Sequence, residues 1–176
     1  MNLRKLFWFI RTKVLWFRFG YLGKRSYLGR PLYISSTKRL FIGDSVRIYP
    51  GMRAELVGES ARISFDGDIS IGQNLHIVSY NDNLKVGRGV TISGNVFISN
   101  VDHEYSEIGV PVLKQSLISR ETIIGDNCFI GYGAMILPGT KLGRQCVVGA
   151  NAVVKGEFED YSVIVGVPGK VIKKIN

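Results

Sequence analysis

The sequence predicts an all-β protein, a parallel β-helix whose short strands stack into one elongated column. Three observations predict it. Between Ile124 and Val154 an aliphatic residue returns every sixth position: Ile124, Ile130, Ile136, Leu142, Val148 and Val154. The next residue is glycine at Gly125, Gly131, Gly143 and Gly149, and the fourth position after the aliphatic is small at Cys128, Ala134, Thr140, Cys146 and Ala152. A helix repeats at 3.6 residues and a strand at 2, so a period of six beside glycine calls for short strands broken by tight turns. With three such sides to a coil, residues 18 apart lie above one another at the inter-strand spacing of about 4.8 Å. Ile124 then sits under Leu142, and Ile130 under Val148. One hexad buries little; a stack buries a continuous column, and the repeat itself supplies the stability.

In chain order, residues 1–30 form a basic, aromatic N-terminal element, and 31–176 form the β-helix. The stretch MNLRKLFWFIRTKVLWFRFG places Arg4, Arg11 and Arg18 every seven residues, with Leu3, Phe7, Ile10, Val14 and Phe17 on the adjoining side of a short amphipathic helix. It is too short and too charged to span a bilayer, and it lacks the small-residue cleavage site of a secretory signal. Two roles fit it together: contact with an anionic membrane surface, where Trp8, Trp16, Phe9 and Phe19 suit the headgroup layer, or a cap on the end of the column. Of the formal net charge of +9, the whole excess belongs to residues 1–43, which hold ten Lys/Arg and no acid. The rest of the chain is nearly neutral and carries no nucleic-acid motif.

Residues 21–85 hold the first, less regular coils, with aliphatic-glycine pairs at Ile42-Gly43 and Ile71-Gly72 and a polar turn at Tyr80-Asn81-Asp82-Asn83. From Val86 the period is clean through Ile92 and Ile98, and then it stops. Residues 100–122 are polar, include Pro111 and lack a sixfold aliphatic, so they form a loop extruded from the coil. The two cysteines, Cys128 and Cys146, are one coil apart on the small inward position and read as reduced packing residues. Nothing in their spacing resembles a zinc site, and no metal is expected.

The repeat, the extruded loop and the closing segment Gly166-Val167-Pro168-Gly169-Lys170-Val171-Ile172 resemble the bacterial hexapeptide-repeat O-acetyltransferases, among them the colanic acid, lipopolysaccharide and maltose-galactoside enzymes. The resemblance implies a left-handed helix, an exception to the right-handed crossover rule, and a homotrimer with its cleft between subunits. It also implies acetyl-CoA as co-substrate, a saccharide acceptor and a cytoplasmic location, to which the charge and aromatics of residues 1–30 add the expectation of peripheral membrane contact. Ile98-Ser99-Asn100-Val101-Asp102-His103-Glu104-Tyr105 looks like the family's I-S-x-x-x-H-x-Y junction and makes His103 the catalytic residue. The chemistry asks for such a group: an imidazole, which ordinarily titrates near 6.5, can take the proton of a sugar hydroxyl as it attacks a thioester. Asn100, Asp102, Glu104 and Glu121 are candidates to orient the imidazole or meet substrate, and the backbone of Gly131-Tyr132-Gly133 is the candidate to steady the oxyanion.

Matched to the family, Tyr132, Ala150 and Lys155 meet the pantetheine arm, and Lys170 and Lys173 approach the nucleotide phosphates. Two positions depart from the family pattern, Phe129 for a frequent Trp and Gly169 for a frequent Ala. His76, just after the inward Leu75, reads as structural or peripheral. The leading expectation is O-acetylation of a sugar of a bacterial surface polysaccharide or its precursor. An N-acetyltransferase of a nucleotide-linked amino sugar is the alternative on the same fold. A carbonic anhydrase on this helix needs three zinc-binding histidines, against His76 and His103 here, and a non-catalytic trimer leaves His103 and its loop without a role.

Overall fold

A computed structural model of the chain describes residues 3–175; Met1 and Asn2 of the N-terminal stretch, and Asn176, lie outside the described residues. The short strands stack into three parallel sheets of seven, eight and six strands, which form the three faces of a prism, here called A, B and C in the order the chain visits them. The sixfold aliphatics make its interior. On face A the inward column runs Leu22, Ile42, Phe65, Val86, Ile124, Leu142, Phe158. Face B contributes Leu28, Ile48, Ile71, Ile92, Ile130, Val148 and Ile164, and face C contributes Ile34, Ala54, Ile77, Ile98, Ile136 and Val154. Nearly all of these side chains are fully buried. Ile124 pairs with Leu142 and Ile130 with Val148, the partners the period predicts.

Corners are made by residues that accept left-handed backbone. Asn74, Asn95, Asn127 and Asn151 hold φ between 56° and 59°, and Gly133 takes the corresponding place with φ 69°; asparagine and glycine tolerate this region best. The early coils are wider because their strands are longer, as in Arg53–Val57 and Arg62–Gly67.

Residues 100–122 leave the prism between faces C and A without breaking the column, since Val86 pairs directly with Ile124 across the excursion. They are not structureless. Val101–His103 and Leu117–Ser119 pair antiparallel, with Asp102 opposite Ile118 and His103 opposite Leu117. The buried Gln115 side chain closes the tip by accepting the Glu107 N–H at 3.1 Å and donating to the Glu107 and Val110 carbonyls at 3.2 and 2.8 Å.

Both end strands of face B are covered, which protects their open edges. At the far end Lys170–Lys174 turns back antiparallel on Ser162–Val165. At the near end lies the helix α1, Leu3–Val14, the N-terminal amphipathic helix. Its Thr12, 2% exposed, accepts the Leu28 N–H at 3.0 Å, Arg11 donates to the Leu28 carbonyl at 2.6 Å, and Lys13 donates to the Gly23 carbonyl at 2.7 Å. Trp8 packs on Tyr27 and Tyr49 with ring centroids 6.2 and 6.0 Å away. Residues 1–30 therefore divide: the helix caps the column, while Tyr21–Leu22 and Tyr27–Leu28 already pair as its first strands.

Candidate functional site

The extruded hairpin is anchored to the prism at Tyr80. Asn100, buried, accepts the Tyr80 N–H at 2.7 Å and donates to the Tyr80 carbonyl at 3.4 Å, and the Ser119 hydroxyl donates to the same carbonyl at 3.1 Å. The polar turn after Tyr80 thus serves as the anchor of the loop. Three residues past Asn100, His103 ends the first strand of the hairpin, half-buried, and its Nδ1 is buried with no hydrogen-bond partner among the described residues. A buried polar atom left unpaired in a native fold is uncommon and calls for a partner such as an ordered water, an ion or a ligand, or for a catalytic role.

None of the expected orienting groups reaches that imidazole within the chain. Asn100 is committed to Tyr80. Asp102 accepts the His103 backbone N–H at 3.0 Å and lies 3.8 Å from the Lys155 ammonium. Glu104 caps the Tyr105 and Ser106 N–H groups, which hold its carboxyl below the usual range. Glu121 pairs with Lys141 at 3.3 Å. The C–A corner therefore brings Lys155, from a coil beyond the loop, to Asp102, the residue before His103.

The remaining expected contacts gather elsewhere. Tyr132 and Ala150 occupy equivalent positions in successive coils at the B–C corner, joined by a bond from the Asn151 N–H to the Tyr132 carbonyl at 2.8 Å. The glycines beside them are needed for this approach, because a Cβ on Gly131 would meet the Ala150 nitrogen at 2.6 Å. Lys170, paired with Val165, follows at the end of face B above the same edge, and Lys173, paired with Val163, lies farther along that strand; both are exposed. Two edges of one face thus separate the candidate residues. Among the described residues no hydrogen bond or ion pair joins one group to the other.

The corners differ in a way that bears on binding. At the A–B corner the N–H after the turn glycine is capped by an aspartate of the next coil: Lys24 by Asp44, Arg88 by Asp126 and Arg144 by Asp160, at 2.6, 2.8 and 2.7 Å. At the B–C corner the Tyr132 and Ala150 N–H groups have no acceptor among the described residues. Two open donors, one coil apart beside small residues, suit an extended chain bearing amide carbonyls. Within the expected oxyanion turn, Gly131 and Gly133 already donate to the Val148 and Gly94 carbonyls at 2.8 and 3.0 Å, which leaves Tyr132 as the open N–H.

Three features were not singled out from the sequence. The Asn95 amide bonds the Tyr132 hydroxyl, continuing a ladder from Asn74, and Gly94 leaves room for the Tyr132 ring. Gln115 holds the loop tip. On the outer surface of face C, Glu55 accepts from Arg53 at 2.7 Å and lies 2.8 Å from His76 Nε2, while His76 stands edge-on to Phe97 with centroids 5.1 Å apart. Gly169 also finds its reason: a Cβ there would sit 3.0 Å from the Val153 carbonyl oxygen and 3.2 Å from Ile164 and Val154 methyls.

Residues 121–155 match the hexapeptide repeat of succinyl-transferase. The chain is 32% identical to "Putative lipopolysaccharide biosynthesis O-acetyl transferase WbbJ" of Escherichia coli (strain K12), over 83% of this chain and 77% of that protein. It is 33% identical to "Probable acetyltransferase Rv3034c" of Mycobacterium tuberculosis (strain ATCC 25618 / H37Rv), over 84% of this chain but about half, 49%, of that longer protein. In fold it is similar to AntD, an N-acyltransferase from Bacillus cereus solved in complex with dTDP and 3-hydroxybutyryl-CoA, with a TM-score of 0.81, 18% identity, and coverage of 94% of this chain and 88% of that one. Identity at this level, sustained over most of both the chain and the Escherichia coli protein and joined to the stacked sixfold repeat, means that the chain belongs to the hexapeptide-repeat acyltransferases.

Proposed function

We propose that the chain transfers an acetyl group from acetyl-CoA to a hydroxyl of a bacterial surface polysaccharide or its precursor, with His103 as general base. The observation that carries this reading is the His103 imidazole, half-buried on a hairpin anchored to a rigid coil, with Nδ1 buried and unpartnered. That leaves Nε2 to meet the acceptor. The nitrogen takes the hydroxyl proton as the oxygen bonds to the acetyl carbon, and the proton passes to the departing sulfur as the carbon–sulfur bond breaks. Acetyl-CoA supplies the activated thioester, so no nucleophilic residue of the chain is required.

The open Tyr132 and Ala150 N–H groups suit the amides of a pantetheine arm, and Lys170 and Lys173 suit its phosphates. Because these lie across face C from His103, the reading includes a site shared by two copies, the C–A edge of one facing the B–C edge of the next, in a closed homotrimer. The name of the Escherichia coli relative supports a hydroxyl acceptor on lipopolysaccharide. That of AntD keeps a nucleotide-linked amino sugar as the alternative, on the strength of fold alone.

Labelled acetyl-CoA, incubated with hydroxyl- and amine-bearing sugar acceptors, tests the proposal. The expected product is an acetyl ester, and His103→Ala lowers kcat by about 10²–10⁴ with the fold intact. An amide product, or full activity in the His103→Ala protein, overturns it.

A further inference from the structure

Helix α1 is docked by the side opposite to the one an amphipathic helix normally buries. Thr12 is buried beneath Leu28, Arg11 and Lys13 donate to backbone carbonyls of the first coil, and Trp8 covers Tyr27 and Tyr49. Leu3, Phe7, Ile10 and Val14, spaced by three and four residues along the other side of the helix, face outward. Phe7 is 63% and Val14 65% exposed, and the exposed Trp16 and Phe17 follow in the next turn. A contiguous apolar ridge of this kind on a soluble surface marks a contact with something else.

Charge identifies the occupant. Arg4, Arg18, Lys24, Arg25, Arg30 and Lys38 are exposed, and among the described residues none of these six side chains pairs with a carboxylate, Asp44 bonding only the Lys24 backbone N–H. No acid occurs before Asp44. A second copy meeting this ridge would bring the same cations against these, whereas an anionic lipid headgroup layer would accept both the ridge and the charge. We propose that the outward face of α1, with the cations around it, is a docking surface for an anionic bilayer. The helix binds there without leaving the protein, because its other side keeps its bonds to the first coil. The column is then held by its near end, with the helix lying in the plane of the membrane.

The test is flotation of the full chain with vesicles of phosphatidylcholine alone and of phosphatidylcholine with phosphatidylglycerol. Binding is expected only to the second, to weaken as salt is added, and to fall about fivefold for each of Arg18→Gln, Lys24→Gln and Arg25→Gln. Phe7→Asp with Val14→Asp, both at exposed positions, abolishes it while the thermal midpoint stays unchanged. Two single-tryptophan proteins locate the contact: Trp16 alone (Trp8→Phe) shifts to the blue on binding, and Trp8 alone (Trp16→Phe) does not. Equal binding to both vesicles, or a shift of Trp8, overturns the proposal. So does absence of binding, whether or not the aspartate variants change the sedimentation coefficient; a change assigns the ridge to contact between copies.

Discussion

Individual residues show how the column tolerates polarity only where its bonds are met. Cys128 and Cys146 face inward in successive coils, both buried as free thiols, and donate to the Gly143 and Glu159 carbonyls at 3.1 and 3.3 Å. Hydrogen bonding to Cys146, with burial, pushes the Cys128 thiol well above its ordinary range, and the thiolate is the reactive form. The same bond draws the Cys146 thiol down to about 7, but both side chains are fully buried, so neither cysteine is expected to react with an aromatic disulfide reagent until the chain is unfolded, and rapid labelling of the native protein would contradict that packing. Glu55 makes a second prediction. The Arg53 guanidinium, with His76 adding to it, holds this carboxyl below the ordinary 4.5. A depressed carboxyl stabilises the fold above its unfolded value and loses that contribution as pH falls through its folded one. The thermal midpoint of Glu55→Gln should therefore lie below that of the parent at neutral pH, and the gap should close as pH drops beneath 4.5. A gap independent of pH would contradict it. What the sequence made legible at this scale were the aliphatics and glycines of the repeat, whose environment is set by their own hexad. The Asn95–Tyr132 bond was not legible because it joins residues on either side of the long excursion of 100–122, and the unpaired Nδ1 of His103 was not because it depends on the hairpin within that excursion.

Among the elements, the loop and the helix diverge most from a plain hexad reading. The polar composition of 100–122 correctly removed it from the coil but hid its hairpin, since Val101-Asp102-His103 and Leu117-Ile118-Ser119 have no strong strand pattern and gain their pairing from anchorage at Tyr80. Gln115 holds the tip of that hairpin. Gln115→Ala leaves the Glu107 N–H and the Glu107 and Val110 carbonyls without this partner, at about 1–3 kcal/mol of local stability. Faster amide exchange is expected over residues 104–116, with exchange in the coils unchanged; uniform protection would show that the tip is held by other means. For α1, the heptad of arginines suggested a single cationic stripe. Instead Arg11 is tied down on Leu28, and the apolar positions are turned outward. Periodicity located the two sides of the helix, while only the first coil, with its free Leu28 backbone groups, decides which of them docks.

For the whole molecule, the consequence of stacking is that equivalent corner positions form straight edges, and the candidate chemistry divides between two of them. His103, Asp102 and Lys155 lie along the C–A edge; Tyr132, Ala150 and Lys170 lie along the B–C edge. A rigid prism cannot fold one edge onto the other, and the proposed site is for that reason one shared by two copies. The column itself should be intolerant of voids: Ile130→Ala, in the middle of face B and fully buried, should cost about 2–5 kcal/mol, read as a lowered denaturant midpoint. The shared site is tested most directly by mixing two inactive proteins, His103→Ala, damaged on the C–A edge, and Ala150→Trp, damaged on the B–C edge, unfolding them together and refolding. Random assembly into trimers pairs an intact C–A edge with an intact B–C edge at about one interface in four, so about a quarter of the parent acetyl-transfer activity should return. If the mixture stays as inactive as its components while sedimenting as the parent does, the two edges do not meet between copies and the account of the site is wrong.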